Sequence, residues 1–273
     1  MNAWALLAPA LAVSVLMLIA HTYLGLHVLA RGIIFVDLAL AQIAVLGLSV
    51  AFLVGYEAHS FQAHVFAFGA ALCAAGGFAL LRRIPSKVTR EVAIGCAYVV
   101  ATALTVVILS RSSQGMEELK SMLNGNVLFV RWGEVGTLAA VYGAAALLHA
   151  VFFRHFQALS FNDGTTKYHF LWEFLFFASF ALVITLGVDL AGVLLVFAYL
   201  IIPAFSASLL SEAFHVRLLL GFLLGLAGSV LGLWLSFTGD LPVGATMVAS
   251  LGLLPVVAAL TRWGMSRGKK GIM

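Results

Sequence analysis

Nine runs of about 20 apolar residues recur along the chain, at 4–29, 33–56, 61–81, 91–109, 135–153, 170–188, 191–210, 216–237 and 243–261. A helix needs about 20 such residues to cross roughly 30 Å of bilayer hydrocarbon. Lipid offers no partners to backbone N–H and C=O groups, so each run closes its own hydrogen bonds as a helix. The expected fold is an all-α integral membrane bundle of about nine transmembrane helices. Composition agrees: 10% of the 273 residues are charged, against about 25% in domains that face water. No compositional shift or low-complexity linker divides the chain, so residues 1–273 read as a single transmembrane domain. Only Gly187-Val188-Asp189-Leu190 marks the junction of the sixth and seventh runs. That spacing predicts either a very tight hairpin or a broken helix.

The basic residues sit at the ends of the apolar runs, which argues against nucleic acid as the partner of this cationic chain. With the N-terminus outside, 12 of the 15 Lys and Arg fall in inner loops or the C-terminal tail, and Arg111, Lys120 and Arg131 remain outside. Positive-inside sorting therefore predicts an outside N-terminus and a cytoplasmic C-terminus. The lack of Lys or Arg before Trp4 argues against a cleaved signal peptide. The longest polar stretch, Ser110 to Glu134, falls outside in this arrangement. Cys73 and Cys96 lie in apolar runs without metal-ligand spacing and read as ordinary helix residues.

Ionisable groups within a bilayer are costly and mark functional candidates. Asp37 lies about one turn inside the second run; it reads either as part of a cation pathway or as a first-turn carboxylate steadied by the helix N-terminus and Arg31. At about 1.5 Å per residue, His21 is roughly 15 Å from Arg31 and Gln42 roughly 16 Å, which gives them similar depth on antiparallel helices. Imidazole, carboxylate and amide oxygen together suit a passing divalent cation. Glu57, His59 and His64, at the outer ends of the second and third runs, could receive one. Glu173, Asp189 and Asp240 read as helix-end or loop carboxylates; His27, His149, His155, His169 and His215 read as interfacial. Gly221, Gly225, Gly228 and Gly232 share one face of the eighth run, a spacing that lets helices approach closely. There is no GxxxxGK[ST] loop for ATP, no HExxH and no nucleophile elbow, so the chain does not read as an enzyme.

Four stretches, in order, resemble the permease subunits of bacterial ABC importers for zinc, manganese and iron(II). Arg31–Gly55, RGIIFVDLALAQIAVLGLSVAFLVG, is similar to the family's GDALSHAxLPGxALAFLLG, and Glu91–Gly95, EVAIG, to its DAxIG. Gly192–Ala204, GVLLVFAYLIIPA, resembles GxLLVxxLLIxPA, and Gly239–Val248, GDLPVGATMV, resembles DLPSGATIV. Leu159-Ser160-Phe161-Asn162-Asp163 is similar to the LSFDP that opens the family's ATPase-docking segment, which makes Ser160, Phe161, Asn162 and Asp163 the expected coupling residues. The resemblance implies a homodimer of permeases in the bacterial cytoplasmic membrane, cytoplasmic ATPase subunits that hydrolyse ATP, and an extracytoplasmic metal-binding protein. It implies a transported metal, zinc first, with manganese or iron as alternatives, and no permanently bound cofactor. It also implies that the Asp and His of the first motif line the metal pathway. Aligned back from Gly47, Gln42 stands at the family His and Leu38 at the family Asp, so Asp37 sits one residue early. Residues four apart on a helix point about 40° from one another, whereas Asp37 and Gln42 are about 140° apart. A permease for a metal chelate such as a siderophore or corrinoid is the alternative, and an ion-coupled secondary transporter the next. The latter calls for inverted repeats, which the sequence does not display.

Overall fold

The computed structural model describes residues 3–57, 60–84, 86–111, 125, 127–161 and 169–270. Ten α-helices and one 3-10 turn account for nearly all of them, with no strand among the described residues. They are α1 (Ala3–Arg31), α2 (Val36–Leu53), α3 (Phe61–Leu81), α4 (Lys87–Leu109), α5 (Trp132–Val151), α6 (Phe153–Phe161), α7 (His169–Leu210), α8 (Phe214–Gly239), α9 (Val243–Leu251) and α10 (Leu254–Lys270). Most of the polar stretch 110–134 lies outside the described residues.

Boundaries follow local chemistry. Ser60 and Ser86 cap α3 and α4, each accepting a hydrogen bond at 3.2 Å from the amide three residues on. Gly32, at φ 66°, turns the chain after α1, and Asp240, at φ 52°, ends α8 in a left-handed cap. Eight helical stretches are long and apolar enough to cross a membrane, among them Phe170–Leu210 with 41 residues and Val243–Gly264, which joins α9 to α10. The 41-residue stretch is twice the needed length and reverses at Gly192, whose φ of 78° and ψ of 159° are not helical. A Cβ at Gly187 would lie 3.3 Å from Val196 Cγ2, although nine residues of continuous helix span about 13 Å. The arms 169–191 and 193–210 are therefore antiparallel, which makes nine membrane-length segments among the described residues. The reversal expected at 187–190 falls slightly later, which leaves Asp189 in the last turn of the first arm.

The interior is built on α2 and α7, the two most enclosed helices, whereas α4, α5 and α10 turn most of their surface outward. α2 packs on α3, α4 and α7; α1 packs on α7, α8 and α5. Small residues set these distances. Ala63, Ala67, Ala71 and Ala75 form one fully buried stripe of α3, and the glycines of α8 form another. A Cβ at Gly221 or Gly225 would meet Pro203 of α7 within 3.2 Å, and one at Gly232 would meet the Met247 backbone at 2.6 Å. Backbone cannot yield as a flexible side chain can, so Gly232→Val is expected to cost about 1–3 kcal/mol. Thermal unfolding of the purified protein in detergent checks this, and a melting temperature equal to that of the parent would refute the seam.

Candidate functional site

Ionisable side chains collect at three levels: inside α1 and α2, at the end of the bundle near the Gly192 turn, and at the opposite, basic end. In the interior, Asp37 is 1% exposed in the first turn of α2, and neither carboxylate oxygen has a hydrogen-bond partner. Arg31, expected to steady it, is engaged elsewhere. Gln42, one and a half turns on, is 3% exposed, and its Oε1 also lacks a partner. His21 is fully buried in α1; its Nδ1 lies 2.8 Å from the Met17 carbonyl, and Nε2 is unpartnered beside the Tyr142 ring. α1 and α2 scarcely touch, because both pack on α7. Similar depth therefore does not make His21 a direct neighbour of Asp37 or Gln42. Among the described residues no three His, Cys, Asp or Glu side chains converge closely enough to hold a metal.

At the Gly192 end, His64 Nε2 lies 3.2 Å from Asp189 Oδ2, while its Nδ1 lies 2.8 Å from the Ser60 carbonyl. Both side chains line a cavity of about 210 Å³ together with Glu134, Thr137 and Leu138. Glu134 also accepts the Arg131 amide at 2.7 Å, closing the first turn of α5. Glu57 is exposed beyond α2, and His59 lies outside the described residues. Asp189, read from sequence as a loop carboxylate, is thus the partner of a candidate metal-receiving histidine. No sequence pattern links positions 64 and 189; the hairpin at Gly192 does.

At the basic end, Glu173 is 2% exposed between two arginines. Arg31 Nη1 donates to Oε2 at 2.7 Å, and Arg82 Nη1 donates to Oε1 at 2.6 Å. The Arg31 guanidinium also lies 3.8 Å over the Phe176 ring, and its Nε donates to Ser160 Oγ at 2.9 Å. The same hydroxyl sits 2.7 Å from His27 Nδ1. Ser160 therefore turns inward and ties α6 to α1 rather than pointing away from the bundle. Phe161 lies edge-on to His27 and Phe214 and is 42% exposed; Asn162 and Asp163 lie outside the described residues. His27 and His149 are buried among aromatic rings, not interfacial as their positions in sequence suggested. His149 stacks on Phe156, and its Nε2 is 2.9 Å from Ser179 Oγ.

An all-helical, multi-pass bundle with ionisable groups buried inside its spans is the architecture of a membrane transport protein. The sequence matches the ABC 3 transport family over residues 3–262, and the chain belongs to that family, as a multi-pass protein of the bacterial inner membrane. It is 26% identical over 259 residues to the manganese transport system membrane protein MntC of Listeria innocua, an alignment covering 93% of this chain and 90% of that protein. It is 23% identical, over 92% of this chain and 89% of the relative, to a Haemophilus influenzae protein named "Probable iron transport system membrane protein". Among solved structures, PsaBC from Streptococcus pneumoniae in complex with Fab superposes with a TM-score of 0.75, at 22% identity over 94% of this chain and 92% of that one. At that identity the likeness speaks for the fold.

Proposed function

We propose that this chain is the membrane-spanning permease subunit of an ATP-driven importer for a divalent transition metal ion. The observation that carries the reading is Asp37, a carboxylate buried in a membrane-spanning helix with no partner on either oxygen. A buried charge without a partner is costly to keep, and a cation passing along α2 would supply the missing interaction. Gln42 adds a second unpartnered oxygen, and His21 an unpartnered ring nitrogen, on the route. Carboxylate and carbonyl oxygen donors suit manganese, whereas imidazole suits iron and zinc. The relatives named for manganese and iron support the same order, so manganese replaces zinc as the first choice.

In this reading the basic end faces the cytoplasm, as positive-inside sorting favours. Residues 1–273 act as one transmembrane unit, paired with a second copy. An extracytoplasmic metal-binding protein delivers the ion near Glu57, His59 and His64, with Asp189 behind His64. ATPase subunits dock at α6 and at Ser160, Phe161, Asn162 and Asp163. Ser160 would transmit their movement to α1 through His27 and Arg31, because it is joined to both.

Reconstitution tests the reading. Proteoliposomes holding the permease with its ATPase and binding protein should concentrate manganese or iron(II) on addition of ATP, and zinc less well. The permease alone should concentrate none. Uphill uptake driven by a proton gradient without any ATPase would overturn the proposal.

A further inference from the structure

The basic end encloses a cavity of about 210 Å³, large enough to admit several waters or a small polar group. Arg31, Arg82, Lys87 and Arg90 line it, against a single carboxylate, Glu173. That carboxylate is already occupied by Arg31 and Arg82. Lys87 and Arg90 have no acid opposite them in the wall. Glu91, the nearest carboxylate in sequence, is not part of the wall, and its Oε1 accepts the Phe35 amide at 2.9 Å. Arg31 is only 6% exposed at its side chain, yet its Nη2 has no acceptor, and neither has Arg90 Nε.

The placement of Lys87 and Arg90 is also electrostatically adverse. They occupy the start of α4, where the helix dipole is positive, and the first turn carries no acidic residue to offset them. Two cations on a positive pole, beside a buried guanidinium with a free nitrogen, are stabilised when an anion joins them. An anion with several oxygens can accept from arginine, lysine and helix amides at once. The rest of the wall is apolar, with Ile33, Phe78, Leu81 and Ile84. The cavity lies where α1 and α3 end and α4 and α7 begin, which is the level at which hydrocarbon gives way to headgroups. Basic pockets between spans at that level suit anionic lipid headgroups.

We propose that this cavity binds an anionic phosphate group, supplied by the headgroup of a membrane phospholipid. The site is distinct from the cation route through α2 and does not depend on which metal is carried.

The test titrates the full-length protein in detergent with phosphatidylglycerol, phosphatidylcholine or inorganic phosphate, and reads retention by native mass spectrometry and melting temperature. Phosphatidylglycerol should be retained and should raise the melting temperature, whereas zwitterionic phosphatidylcholine should do neither. Each basic residue near an anionic lipid is worth roughly a factor of five, so Lys87→Gln with Arg90→Gln should weaken retention about 25-fold. Arg83→Gln removes one positive charge from the turn just before α4, outside the cavity, and should change little. Stabilisation by inorganic phosphate as well would show that the phosphate alone is recognised; stabilisation by phosphatidylglycerol alone would show that the lipid is required. Equal retention of the two lipids, or full retention of phosphatidylglycerol in the double variant, would overturn the site. So would a double variant that keeps the lipid and loses only the co-purifying ATPase, since the cations would then serve protein docking.

Discussion

Asp37→Asn is expected to abolish metal accumulation while leaving the permease folded and at least as stable as the parent. The carboxylate makes no hydrogen bond and no ion pair, so removing its charge takes no contact from the fold. A lone buried charge disfavours the native state, and its loss should leave the melting temperature level or raise it. Uptake should behave in the opposite way. Even changes behind the direct ligands of a metal typically weaken a site about 10- to 100-fold, and loss of the only carboxylate in the α2 span should do no less. A residue kept at the expense of stability, with function as the return, is the expected mark of a pathway. Radiolabelled manganese uptake and thermal unfolding, measured on the same preparation at matched expression, separate the two effects. Near-normal uptake would place the route elsewhere, with His64 and Asp189 next to test. A large drop in melting temperature would make Asp37 a structural residue instead.

The crossings were legible in the sequence because lipid demands about 20 apolar residues from each of them, whatever they pack against. The α8 seam was legible for a similar reason, since glycines three and four apart share a helix face in any fold. Long-range polar pairing was not. Glu173 looked like a helix-end carboxylate because its partners, Arg31 and Arg82, lie 142 and 91 residues away. Arg31 seemed available to Asp37 because the two are close along the chain, but the 2.7 Å contact to Glu173 and the stack on Phe176 hold it elsewhere. His64 and Asp189 meet only because the chain reverses at Gly192, three residues past Asp189. Depth along two helices placed His21 level with Gln42. It could not show that α1 and α2 would both pack on α7 rather than on each other. Sequence periodicity reports which face of a helix is apolar or small; it does not report which neighbour that face meets.

Glu173→Gln is expected to be the most destabilising polar substitution at the basic end. Glu173 holds Arg31 and Arg82 on its two oxygens, and side-chain exposure is 3% for Glu173, 6% for Arg31 and 28% for Arg82. Removing one member of a buried ion pair typically costs about 3–5 kcal/mol, because the charge left behind is uncompensated. Here two guanidinium groups would be left, one of them almost wholly enclosed. The damage should spread to α6, since Arg31 Nε also holds Ser160 and thereby fixes α6 on α1. A second substitution tests the cause. Arg82→Gln removes the more exposed cation, so in the double variant the amide that replaces the Glu173 carboxylate faces only Arg31, and fewer positive charges repel one another. If charge balance is what Glu173 provides, the double variant should recover a large part of the stability lost in Glu173→Gln, a coupling that a double-mutant cycle isolates. If Glu173 serves only to fill space, the near-isosteric glutamine should be tolerated, and Glu173→Gln would melt with the parent. If it acts through Arg82 alone, Arg82→Gln by itself should cost as much as Glu173→Gln. Only the combination of a severe single loss at Glu173, a milder one at Arg82 and partial recovery in the double variant fits a buried carboxylate shared by two helix-end arginines.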